Sequence, residues 1–275
     1  MALVTARWYA TLTDLKAELG ETGTTNDARL GRYIAQASRS IEAFTGRTFY
    51  PVTATKYFDA PRDGCSLFLA YEDLLTLTTL TDDTGVITST YYWLYPLNVT
   101  PKHSVVLDTG SLGRGFQYDE DPQRAISIAG QWGYGDDYQD TGLTLSANVT
   151  TTTATKITAS SAGLEVGMML LIGTEAMHVS AVSGNVATVQ RGALGTTAAT
   201  HTAADAVYRY VPPADVTMAV LAMASHTNNT RIASGIKTES IGEYSVTYAD
   251  GSASMTATVP PYVAGVVKKY QRIGV

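Results

Sequence analysis

The chain has 275 residues, of which 45% are hydrophobic and 16% charged, enough apolar material for a packed core, so a wholly disordered chain is excluded. Its net charge of −6 comes from the front: residues 1–140 hold 11 Lys and Arg against 18 Asp and Glu, whereas residues 141–211 and 212–275 are nearly neutral. Because no segment carries a basic stripe, stable binding to DNA phosphates is also excluded.

The first helix is predicted from Leu12, Leu15 and Leu19, which share one face after a cap at Thr11 or Thr13. A second helix begins at Asn26 or Asp27. Its apolar stripe recurs at spacings of four, three, four and three, and Gly46 ends it. The stripe consists of Leu30, Ile34, Ala37, Ile41 and Phe44.

From Thr53 to Trp132 the pattern becomes that of short strands, with a hairpin turn predicted at Asp82–Gly85. Residues 141–211 then contain 14 Thr and only six charged residues, and strand-like runs alternate with Gly-containing turns. This composition predicts a small all-β domain of about 70 residues, within the range of units that fold independently.

Two more helices are predicted near the end of the chain, one after Pro212-Pro213 and one after Pro260-Pro261. We therefore predict an α+β fold in which about four helices and short strands form the core and a small all-β domain is inserted. The predicted boundaries are 1–140 and 212–275 for the discontinuous core domain and 141–211 for the inserted domain.

Three stretches, in this order, resemble the head–tail connector (adaptor, or head-completion) proteins of long-tailed bacteriophages. They are Tyr9–Lys16 with the helix exit Ile41–Phe49, Gly130–Tyr134 with the later Pro212–Met218, and Gly235–Tyr248 with the C-terminal helix ending at Arg272. Residues 141–211 depart from the pattern, since such proteins usually lack them. The stretch Val189–His201 resembles a turn of β modules in many phage structural proteins.

The resemblance implies a structural virion protein in the phage neck, in a ring of twelve subunits that joins the DNA-filled head to the tail. The implied partners are the portal protein, a stopper or tail-completion protein and further copies of this chain, while DNA passes through the lumen without specific binding. The low positive charge agrees with such a lumen. Cys65, the only cysteine, together with the absence of a signal peptide pattern, predicts assembly in the host cytoplasm, and no apolar run is long enough for a membrane span.

The apolar face of the last helix fits two roles, completion of the subunit core or docking on the portal, and the adjacent basic residues favour docking. Removal of residues 260–275 is then expected to leave a folded subunit that no longer binds the portal. The predicted portal-binding residues are Tyr262, Val263, Val266, Val267, Lys268, Lys269, Tyr270 and Arg272. The predicted contacts between subunits are Arg32, Arg39, Tyr244 and Tyr248.

No catalytic, cofactor or metal site is predicted. The four His are scattered, and the acidic clusters Asp119–Asp121 and Asp136–Asp140 lack the spacing of a calcium loop, so solvated turns are the expected reading. We expect that the chain is not an enzyme. The alternative is a tail-associated or capsid-associated binding module whose inserted β domain contacts a glycan, a host surface or another virion protein, although that domain contains only Tyr208 and Tyr210 as aromatic residues.

Overall fold

A computed structural model of the chain describes residues 7–233, 238–241, 244–247 and 260–272. All four predicted helices are present, together with one short additional helix. None of the helices within these ranges is long and apolar enough to cross a membrane. The helices are α1 (Leu12–Leu19), α2 (Asp27–Thr45), α3 (Thr109–Leu112), α4 (Ala214–Ala233) and α5 (Pro261–Tyr270).

Helix α1 begins with a capping box, because the Thr11 side chain accepts from the Asp14 backbone amide and the Asp14 carboxylate accepts from that of Thr11. Helix α2 buries four members of its predicted stripe against α1, α4 and α5. The fifth member, Phe44, is 43% exposed, so its assignment to the core was wrong. Burial of large apolar side chains, worth roughly 1.5–3 kcal/mol each, holds this helical layer together.

Two antiparallel sheets follow the first two helices. The four-stranded sheet has the order β1-β7-β3-β4 and the three-stranded sheet the order β2-β6-β5. Their facing sides share one apolar core that includes Leu74, Ile126 and Trp132. The strands are β1 (Val52–Phe58), β2 (Ser66–Phe68), β3 (Leu74–Asp82), β4 (Gly85–Ile87), β5 (Tyr92–Tyr95), β6 (Ser104–Leu107) and β7 (Ile126–Trp132).

A six-stranded antiparallel sheet, of order β8-β13-β10-β11-β12-β9, accounts for the Thr-rich region. Leu145 and Ala159, which follow the two edge strands, pair with each other, so the edges of this sheet meet. A separate hairpin is formed by β14 (Thr238–Ile241) and β15 (Tyr244–Thr247). The six strands are β8 (Tyr138–Thr144), β9 (Lys156–Thr158), β10 (Met169–Ile172), β11 (Glu175–Ser183), β12 (Val186–Ala193) and β13 (Ala206–Tyr210).

The predicted fold class was wrong, because the chain is mostly β-sheet and not a helical core with a small β insert. Strands β1 to β7 all lie in the part assigned to the helical core, where they form two packed sheets with their own apolar core. The strand patterns there were recognised, but their pairing into two layers depends on contacts between distant residues, which periodicity does not encode. The boundaries 1–140, 141–211 and 212–275 stay a prediction.

Candidate docking site

Helix α5, the predicted portal-binding element, lies against α2 and α4. It starts at Pro261, whose fixed backbone angle suits the first helical position. Val263 is fully buried, and Val266 and Tyr270 are also buried, in the same core as the α2 stripe. The inner face of α5 therefore completes the core of its own subunit.

Tyr270 makes both aromatic and polar contacts within the subunit. Its ring meets Phe49 and Tyr134 edge to face, with centroid distances of 5.3 and 5.0 Å. Its hydroxyl donates to Oδ1 of Asp215 at 2.8 Å, and burial raises the pKa of Tyr270. Lys269 Nζ lies 2.6 Å from the other oxygen of Asp215. Although partial burial opposes it, hydrogen bonds from Lys269 and Tyr270 hold the pKa of Asp215 below its usual range.

Arg272 ties the end of α5 to the β-sheet sandwich. Its Nη2 donates to Oδ2 of Asp73 at 2.8 Å, and Arg47 Nη1 donates to Oδ1 of the same carboxylate at 2.6 Å. Arg47 Nε also donates to the Tyr270 carbonyl at 2.7 Å. Since Asp73 is only 2% exposed, it serves as an anchor between two guanidinium groups.

The eight predicted portal-binding residues thus separate into three groups. Val263, Val266 and Tyr270 are core residues, while Lys269 and Arg272 are paired within the subunit. Three side chains remain on the surface to different degrees: Tyr262 at 51% exposure, Lys268 exposed and Val267 half-buried. Portal contact stays a prediction, and its accessible part in this conformation is centred on Tyr262 and Lys268.

This burial also changes the expectation for a truncated chain. Loss of residues 260–275 would remove three core side chains and both partners of Asp215. Such a truncation would perturb folding as well as any docking, because each vacated apolar site leaves a cavity. Point substitutions on the exposed face of α5 are therefore the informative variants.

Two of the four residues predicted to contact neighbouring subunits, Arg32 and Arg39, have described side chains, and both belong to α2. Arg32 is exposed on α2, whereas Arg39 Nη2 donates to the Arg7 carbonyl at 2.6 Å and Nη1 lies 2.7 Å from Glu42. The backbone of Tyr244 belongs to β15, and its side chain, like all of Tyr248, lies outside the described residues. Contact between subunits through these four residues stays a prediction.

A buried charged cluster was missed by sequence reasoning. Glu175 is fully buried at the start of β11 and accepts from Arg191 Nε and Nη2, both at 2.7 Å. The Gly192 and Ala199 amides and His201 Nε2 each lie 2.9 Å from its oxygens. Burial opposes ionisation, but these hydrogen bonds, led by that of Arg191, lower the pKa of Glu175 to about 2.

The role of this cluster is to stabilise the fold. Every oxygen of Glu175 is occupied by donors of the same subunit, so none is left to act on a ligand. Arg191 and His201 both belong to the stretch Val189–His201 that resembles a phage β-module turn, but their spacing in the sequence does not point to Glu175. Among the described residues, no group of three His, Cys, Asp or Glu side chains could hold a metal ion, the two acidic turns included.

Comparison with known proteins shows that the N-terminal part of this chain is similar to one family. Residues 9–67 match the model of a family described as Phage gp6-like head-tail connector protein. The matched segment contains α1, α2, β1 and the beginning of β2. No curated protein matches the chain. The resemblance to phage head–tail connectors is thereby confirmed over this segment.

Proposed function

Starting from this match to phage head–tail connectors, we propose that the chain is a structural subunit of the neck of a tailed phage. In this proposal, copies of the chain form a ring below the portal, join the head to the tail and leave a channel for DNA. The observation that carries the proposal is the match over residues 9–67, which spans the first two helices and their exit into the sheet. The match itself concerns connector proteins; the ring and its position are our extension.

The surface charge supports a passive channel. The net charge of −6 and the lack of a basic stripe mean that phosphates passing through the lumen meet few fixed cations. Arg47 and Arg272 share the single carboxylate of Asp73, so this site carries one net positive charge and no basic stripe. DNA would therefore pass without strong retention.

We also propose that the chain has no enzymatic role. Three ion-paired carboxylates serve the fold: the buried Glu175 and Asp73 are paired with guanidinium groups, and the partly exposed Asp215 joins α4 to α5. A catalytic site needs converging groups that remain free to act on a substrate, which these pairs do not provide.

In vitro head completion tests the proposal. Portal-bearing heads from a phage that lacks this protein are incubated with the purified chain and then with tails, and joined particles are counted by electron microscopy and by infectivity. We expect joining to require the chain. Heads that join tails equally well without the chain would contradict the proposal.

The predicted portal face is tested in the same assay with two exposed positions of α5. We expect Tyr262→Ala and Lys268→Glu to reduce binding to heads by about tenfold each, which corresponds to 1.4 kcal/mol. Their thermal melts should match that of the parent chain because neither side chain is in the core. A matched surface control is Met218→Ala on α4, which is also 51% exposed and should bind normally.

A further inference from the structure

The three-stranded sheet presents aromatic side chains on its outer face. In the paired register, Phe68, Ser104 and Tyr95 form one row, and Ser66, Val106 and Trp93 form the next. Phe68 and Trp93 are 56% and 57% exposed, and Tyr95 is 39% exposed. An exposed aromatic face on a well-ordered sheet is typical of a surface that binds another protein.

The opposite face of the same sheet packs in the core of the subunit. The intervening row of Leu67, Val105 and Leu94 faces the four-stranded sheet, where Leu67 and Val105 are buried. The outer aromatic row is thus not needed for the core of the subunit. Within the described ranges, its exposure shows that no other element covers it.

A cationic recess adjoins this face. Phe68 and the exposed Tyr71 line a cavity of about 480 Å³ together with Arg47 and Arg272. A second cavity of about 310 Å³ shares Arg272 and Asp73 and reaches Arg7 and Lys56. The four Lys and Arg side chains of the two cavities outnumber the carboxylates Glu72 and Asp73 by two. We call the aromatic face and this recess together the receiving surface.

The other end of the same sandwich is acidic. Three loops meet there: the Ala60 amide donates to the Pro122 carbonyl at 2.7 Å, and the Asp119 amide donates to the Asp83 carboxylate at 3.1 Å. Six exposed carboxylates surround only two exposed guanidinium groups, Arg62 and Arg124, a net charge of −4. These carboxylates, which we call the acidic end, are Asp59, Asp63, Asp83, Asp119, Glu120 and Asp121.

The recess and the acidic end lie at opposite ends of the four-stranded sheet. Strand β7 begins at Ile126, next to the acidic loop, and ends at Trp132, which lines the second cavity. Seven residues of extended chain place these ends about 20 Å apart. One subunit therefore cannot bring its own acidic end to its own recess, whereas a second copy can.

We propose that the receiving surface of one subunit binds the acidic end of a second copy, in a head-to-tail contact. Charge complementarity selects this pairing, since two acidic ends would repel each other. A contact between two different surfaces is heterologous and closes into a ring when the rotation permits. The inference rests on the proposed ring and identifies the surfaces that build it.

Cross-linking on heads tests the contact. In a Cys65→Ser background, Leu97→Cys beside the receiving surface is combined with Gln123→Cys in the acidic loop; both positions are exposed. Heads lacking the native protein are loaded with this variant and treated with a short bismaleimide. We expect a ladder of dimers, trimers and larger species, whereas each single-cysteine variant alone should give no ladder.

Substitutions outside the cross-linking positions then test the contributions of the aromatic face and of the acidic end. Trp93→Ser on the face, or Asp119→Lys with Glu120→Lys at the acidic end, should each reduce the ladder by about tenfold, or 1.4 kcal/mol. The matched controls, Met218→Ser and Asp136→Lys with Asp137→Lys, change equally exposed positions elsewhere and should leave it unchanged. A thermal melt of each variant confirms that the fold is retained.

The outcomes separate this inference from the proposed function. Subunits that bind heads but give no more ladder than the control pair Leu97→Cys with Asp137→Cys overturn the head-to-tail contact and leave the neck assignment standing. Cross-links from residue 97 to a head protein in place of a second copy also overturn it. Failure of the parent chain to bind heads contradicts the neck assignment itself.

Discussion

The indole of Trp8 and the imidazole of His178 pack edge to face, with ring centroids 5.5 Å apart. Trp8 precedes α1 and His178 belongs to β11, so this contact joins the start of the chain to the six-stranded sheet. Two glycines make room for the indole: a Cβ on Gly31 or on Gly167 would lie 2.7 Å from one of its carbons. Trp8 is therefore a wedge between α2 and the loop before β10.

Substitution of Gly31 tests the fit of this wedge. We expect Gly31→Ala to lower the free energy of unfolding by roughly 1–3 kcal/mol, because the new methyl group displaces the indole from a packed site. Denaturant titration measures the change. The control is Gly265→Ala on α5, where nothing lies within 4 Å of the added Cβ and a gain of about 0.4–1 kcal/mol is expected. Equal effects of the two substitutions would refute the wedge.

His178 makes stability depend on pH. Burial lowers its pKa from 6.5 to about 4, so the folded chain disfavours the charged ring. The unfolded chain binds the proton first, and stability is lost as the pH falls from about 6.5 towards 4. The slope from this residue approaches 1.4 kcal/mol per pH unit. We expect His178→Phe to remove that slope; an unchanged pH profile between 6.5 and 4 would argue against it.

Substitution in the cluster around Glu175 is expected to cause a larger loss of stability. Glu175→Gln leaves the guanidinium of Arg191, which is only 7% exposed, without its counter-ion, and we expect a loss of about 3–5 kcal/mol. The control is Glu72→Gln, whose partner Lys56 is on the surface and whose loss should cost less than about 1 kcal/mol. Urea unfolding midpoints measured at pH 7 distinguish the two variants.

The same cluster predicts a second acid transition. Because the pKa of Glu175 falls from 4.5 to about 2 on folding, its contribution is complete above pH 4.5 and disappears as the pH falls towards 2. Glu175→Gln should flatten the stability profile in that interval and leave the slope between pH 6.5 and 4.5 intact. Loss of both slopes in this variant would mean that the two residues are coupled.

Helices were predictable because their signals are local. The stripe of α2 and the cap of α1 depend on residues within four positions of one another, and both formed as expected. The sheets depend on distant partners: β1 pairs with β7 across some seventy residues, and no spacing in the sequence specifies this. For this reason the strands were recognised while the fold class was missed.

The candidate sites show the same limit. Spacing alone could not decide whether Val263 and Val266 face the core or a partner, since both roles use one apolar helix face. The structure places both in the core. Glu175 lies 16 residues from Arg191 and 26 from His201, so its cluster emerges only when β11, β12 and the following loop come together.

The chain enters and leaves the six-stranded sheet at neighbouring positions, because Tyr138 of β8 is paired with Tyr210 of β13. Paired antiparallel residues have Cα atoms roughly 5 Å apart, a gap that a tight turn of two residues closes. The two ends of the six-stranded sheet region are therefore adjacent in space. A turn from Asp137 to Val211 could replace the whole region without rerouting the chain on either side, but it would remove Met169, Ala176 and Tyr210 from the helical core and His178 from its contact with Trp8.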